Sequence, residues 1–124
     1  MSVVTIYHCS PYLIKEFNFD KGVHFGSRSS ALQAGKRKLY NLNKYKGYRD
    51  KSLFLYTFEL NTTKHVFNSQ ETDDMGNDWI QYMSIMKRDN IDYLIYRNKY
   101  EPDSYPSYYI TNPNCLRLIS TQHL

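Results

Sequence analysis

The chain has 124 residues, 41% hydrophobic and 23% charged, with a formal net charge of +4. These values fit one globular domain around a single core and exclude a disordered chain. No apolar run approaches the roughly 20 residues of a membrane helix. No basic segment followed by an apolar core opens the sequence, and Cys9 and Cys115, the only cysteines, make neither a disulfide framework nor a zinc module. A reduced, cytoplasmic protein without membrane contact is therefore expected.

Val3–Tyr7 is short, apolar and β-branched, so it reads as a strand. Pro11 and the sequence Phe17-Asn18-Phe19-Asp20 make residues 10–21 irregular, and Gly22–Phe25 reads as a second strand closed by Gly26. Ser27 is placed to cap a helix, accepting from the amide of Ser29 or Ser30. Ala31, Ala34, Gly35, Leu39 and Leu42 follow at helical spacing, a small-residue face suited to close packing on a sheet. Residues 41–51 read as a polar, basic loop. Ser52–Leu60 alternates apolar and aromatic residues and is the clearest strand; His65–Phe67 adds a short one.

The acidic residues Glu71, Asp73, Asp74 and Asp78 precede a helix of about three turns marked by Trp79, Ile80, Met83, Ile85 and Met86. Negative charge suits a helix N-terminus, which accounts for these acids without a metal. Strands at Ile91–Tyr96, Ser107–Thr111 and Leu116–Ile119 complete the order β–β–α–β–α–β–β–β. Short connections in that order predict an α+β domain over residues 1–124 with mostly antiparallel pairing in a split sheet, and two main helices.

The positive charge is local. Residues 36–51 hold Lys36, Arg37, Lys38, Lys44, Lys46, Arg49 and Lys51 against Asp50 alone, a segment charge of +6 within a chain of +4. Tyr40, Tyr45 and Tyr48 are interleaved with them. Such a segment could engage phosphates or an acidic protein surface; a solvated helix end would carry the same residues.

Familiar catalytic motifs are missing. His8 and Cys9 are adjacent on a strand, so their side chains face opposite ways and cannot pair as nucleophile and base. The sequence contains no G-x-S-x-G, P-loop, dinucleotide-binding fingerprint, H-E-x-x-H or paired-cysteine motif. What remains is His8, the stretch Gly22-Val23-His24-Phe25-Gly26 and the carboxylate Glu101, with Asn98 three residues before it.

These pieces carry a resemblance. IYHCS at 6–10 resembles the Y-H-G-T/S strand of ADP-ribosyltransferases of the diphtheria-toxin and poly(ADP-ribose)-polymerase type. GVHFGSRSSALQAG at 22–35 resembles that group's G-I-Y-F-A…S-x-S-A strand and helix, with His24 at the tyrosine position and Cys9 where glycine is usual. DMGNDW at 74–79, IDYLIYRNKYE at 91–101 and SYYITNPNCL at 107–116 resemble, in order, the C-terminal half of small phage and bacterial proteins of this fold.

The resemblance implies a compact ADP-ribosyltransferase-like fold, NAD as the dinucleotide and mono-ADP-ribosyl transfer to a macromolecule. It implies a phage or bacterial effector acting on a host or defence component; some small relatives block CRISPR machinery in this way. By the same resemblance, His8 and Glu101 would be catalytic, with Glu101 placing negative charge beside the ribose. The implied NAD contacts are His8, the backbone of Cys9, Ser10, His24, Phe25, Tyr96 and Asn98. Lys99, two residues before Glu101, departs from the E-x-E pair of arginine-specific relatives. The alternative is a non-catalytic inhibitor or binding module on the same fold, engaging nucleic acid or an acidic protein surface through Lys36, Arg37, Lys38, Lys44, Lys46 and Arg49.

Overall fold

Alternation along the strands builds four layers. In the computed structural model, residues 2–68, 78–97 and 105–124 are described, the side chains of Asn68 and Asp78 excepted. Strand β1 (Val3–Ser10) runs beside β3 (Phe54–Asn61), and β3 beside β7 (Leu116–His123), giving an antiparallel sheet of order β1-β3-β7. The second sheet has the order β2-β6-β5-β4, from β2 (Val23–Phe25), β6 (Ser107–Ile110), β5 (Tyr93–Tyr96) and β4 (Val66–Asn68). One face of each sheet meets the other around Ile6, Tyr56, Phe58, Tyr93, Tyr108 and Ile110, all buried. The opposite faces are covered by the helices α1 (Arg28–Tyr45) and α2 (Asp78–Asp89). The chain is thus α+β, with helix, sheet, sheet and helix stacked in turn.

Helix α1 begins where the sequence places it: the Ser27 hydroxyl accepts from the Ser30 amide at 3.2 Å. The helix continues to Tyr45, five residues into the expected loop. It stops at Gly47, whose φ of +67° ends the helical path, and the Asn43 side chain donates to the carbonyls of Tyr48 and Asp50. Gly35 lets α1 settle closely on the first sheet. A Cβ there would lie 2.4 Å from the Cys9 sulfur, so no larger residue fits without moving the helix.

Helix α2 covers the second sheet through Met86, which packs with Leu94, Tyr96 and Tyr109. Its C-terminus turns at Asn90, with φ of +56°, and the Ile91 amide reaches back to the Met86 carbonyl at 2.9 Å. Because α2 is the crossover between β4 and β5, that pair is parallel; among the described residues every other strand pair is antiparallel. Strand β7 extends to His123, past the expected end at Ile119. It lies at a sheet edge with nearly all its residues exposed, so no alternation marks its polar half. Among the described residues, no helix is long and apolar enough to cross a membrane.

Candidate active site in the gap between the sheets

The two sheets meet along β1 and β2, and there the hydrogen-bond ladder fails after one rung. Tyr7 and Gly26 exchange both backbone bonds at 2.9 Å. In an antiparallel ladder the next such rung would join Cys9 to His24. Among the described residues that rung is not made. His8 turns its ring into the gap instead, and its Nδ1 donates to the His24 carbonyl at 2.7 Å. On its other edge β1 is paired with β3 over all eight residues, from Val3 with Asn61 to Ser10 with Phe54.

The consequence falls on Cys9. Strand alternation aims its N–H and C=O the same way as those of Tyr7, away from β3 and into the gap. Its side chain points the other way, under α1, where it packs with Ala31, Leu53 and Leu55. Burial raises the thiol's pKa, with a smaller opposing effect from Lys36, so the sulfur is a small core group rather than a nucleophile. Cys9 therefore turns its backbone toward the gap while its side chain packs under α1.

The gap opens into a cleft of about 100 Å³ lined by His8, Cys9, His24 and Phe25 from the two strands, Ser30 and Arg37 from α1, and Tyr96 from β5. His8 is held by ring contacts with Phe17 and Phe25 at 5.4 and 5.8 Å. Burial lowers its pKa, against the bond to the His24 carbonyl, which raises it; the charge of Lys38 adds a small lowering effect. A neutral His8 donating through Nδ1 leaves Nε2 as an acceptor. His24 is pushed down to about 4, chiefly by burial and then by the nearby His8. Its Nδ1 stands 2.8 Å from the Tyr96 hydroxyl. Both imidazoles are uncharged near pH 7.

The structure brings together most of the residues expected from sequence. His8, Cys9, His24, Phe25 and Tyr96 all line the cleft. Ser10 does not: it is buried, and its hydroxyl accepts from the Tyr12 amide at 3.1 Å, shaping the turn at Pro11. Asn98 and Glu101 lie outside the described residues. The chain leaves β5 after Tyr96 and returns at Ser107, its register partner on β6.

The His24 ring packs on the α2 side, with Trp79 at 4.5 Å and Tyr109 at 4.8 Å. The sequence places Trp79 on a helix and at the end of the DMGNDW stretch, without a contact to His24. Trp79 also contacts Tyr96 at 4.8 Å, and its indole N–H is buried with no hydrogen-bond partner among the described residues. The sequence places Ser30 at the helix start and Arg37 among the basic residues of the binding-module alternative, not in the cleft; their helical offset of seven residues is the available sign that they share a face.

A larger groove of about 540 Å³ adjoins the cleft across Tyr7 and Gly26. Its walls include Val4, Ile6, Leu32 and Tyr108, with Ser27, Arg28 and Ser29 at the start of α1. The basic residues Lys36, Lys38, Lys44, Lys46 and Arg49 lie away from the cleft, along the exposed side of α1 and the segment after it; Arg37 stands at the border. The chain matches no protein-family model and no curated protein sequence.

Proposed function

We propose that the protein is an NAD-dependent mono-ADP-ribosyltransferase whose reaction centre is the cleft between β1 and β2. The observation that carries this reading is the absent rung at Cys9. A primary carboxamide such as that of nicotinamide presents one acceptor and one donor side by side. The backbone N–H and C=O of Cys9 are the complementary pair, free of a strand partner across the gap.

When bound, NAD supplies a glycosidic bond that breaks through an oxocarbenium-like transition state, nicotinamide leaving with the bonding electrons. His8, fixed by its bond to the His24 carbonyl, offers Nε2 to a ribose hydroxyl. The neutral state of His24 matters because a second cation beside the pyridinium would oppose binding. The adjoining groove, with its apolar walls and the hydroxyl-bearing start of α1, has the size of a nucleotide site and would take the rest of the dinucleotide. Glu101, assigned from the sequence pattern, would stabilise the positive charge developing on the ribose. The resemblance to phage-type proteins makes a host or defence macromolecule the acceptor.

The test incubates the protein with NAD labelled in its adenosine portion and a cell lysate. The wild-type protein transfers label to a macromolecule, and a folded Glu101→Gln variant does not. Label from the wild-type protein no greater than from the variant would contradict the reading.

A further inference from the structure

The outer face of α1 combines charge and aromatic surface in a way that solubility does not require. Arg37, Tyr40 and Lys44 recur at i, i+3 and i+7, one stripe on the side turned away from the sheet. Tyr40 is 58% exposed and Tyr45 is 66% exposed. The Lys44 ammonium lies 5.5 Å from the Tyr40 ring centre and 5.3 Å from that of Tyr45. Lys38 repeats the arrangement over Tyr12, at 5.6 Å. Among the described residues, none of the seven cations between 36 and 51 is in an ion pair. The charge is therefore not neutralised within this surface.

We infer that this face of α1 is a docking surface for single-stranded nucleic acid. Phosphates require the cations, and unpaired bases offer flat faces to the exposed tyrosines. An acidic protein would use the lysines and arginines but has no need of Tyr40 and Tyr45. A duplex would present phosphates but keep its base faces stacked. The surface also leads somewhere: Ala34 and Arg37 border both the open groove along α1 and the His8–Cys9 cleft, so a strand held here would run to the rim of the proposed reaction centre. The inference deepens the proposed transfer reaction by naming the class of macromolecule the protein engages. Docking itself needs no NAD, so its failure and the failure of transfer are separate results.

The test measures fluorescence anisotropy of labelled 12-nucleotide single strands, DNA and RNA, without NAD. Duplex of equal length and polyglutamate serve as competitors. Binding of single strands is expected with a log–log salt slope of roughly −3, as four or five phosphate contacts give. Tyr40→Ala and Tyr45→Ala should each weaken binding about tenfold, and Lys44→Ala should also flatten the slope by about 0.7. These positions are exposed, so circular dichroism should show each variant folded. Three results would overturn the inference: no binding of either strand at 50 mM salt, tyrosine variants that bind as the unchanged protein does, or displacement by polyglutamate or duplex as effective as by unlabelled single strand.

Discussion

The two edges of β1 are built from the same eight residues and do opposite work. Toward β3 every residue has a register partner, and the sheet continues to β7. Toward β2 there is one rung, between Tyr7 and Gly26, before His8 takes the His24 carbonyl and the strands part. A complete ladder satisfies its polar groups and leaves them nothing to bind. An interrupted one keeps a donor and an acceptor available at a fixed place, held rigid by the complete edge behind it. Eight register pairs stand on one edge and a single rung on the other, where His8 donates to the His24 carbonyl at 2.7 Å.

The hardest way to break this comparison is to dislodge what presses on β1 from above. Gly35→Val places side-chain carbon where the Cys9 sulfur lies, and α1 must lift or β1 must shift. Overpacking of this kind should cost about 2–3 kcal/mol in urea unfolding. Cys9→Ala in the same background, by removing the sulfur, should return part of that loss. Unchanged stability in the Gly35→Val protein would mean that the helix does not approach β1 as closely as described.

A smaller effect concerns protons at the gap. The folded-state pKa of His24 is about 4, and that of His8 is also lowered, each below the ordinary histidine value of 6.5. The unfolded chain then takes up protons first as the pH falls. The stability these neutral rings contribute is complete above pH 6.5 and declines as pH drops through 6.5 toward 4. Urea midpoints measured from pH 7.5 to 4.5 should fall over that window. His24→Gln should shallow the decline; a variant that declines as steeply as the parent would remove His24 from the account.

Much of the scaffold is legible in sequence because it depends on local rules. Ser27 caps the helix, and the apolar and aromatic stretch Ser52–Leu60 supplies most of strand β3, Phe54–Asn61. Opposite orientation of His8 and Cys9 follows from period-two geometry, and the structure places them on opposite faces of the sheet. The cleft is legible in part: His8, Cys9, His24, Phe25 and Tyr96 could be named, but only from ordered short motifs. The missing rung could not, because it depends on a bond between residues 16 positions apart in two different sheets.

Other misreadings share a cause in tertiary packing. Asn41 and Asn43 look like loop residues, yet α1 continues through them because Leu39 and neighbouring residues pack on the sheet. Ser10 looked like a cleft residue by its position after Cys9, but the turn at Pro11 carries its hydroxyl to Tyr12. Trp79 reads as a helix residue closing the DMGNDW stretch, and only the approach of α2 to β2 brings it against His24.

The most direct test is an amide NMR titration of the 15N-labelled protein with nicotinamide alone. If the gap-facing edge of β1 receives a carboxamide, the Cys9 amide should shift more than those of its neighbours, with Gly26 and Tyr96 moving less. The His8 amide, turned toward β3, should stay nearly still. Saturating nicotinamide that leaves the Cys9 amide unmoved, or moves it no more than residues on β7, would contradict the account.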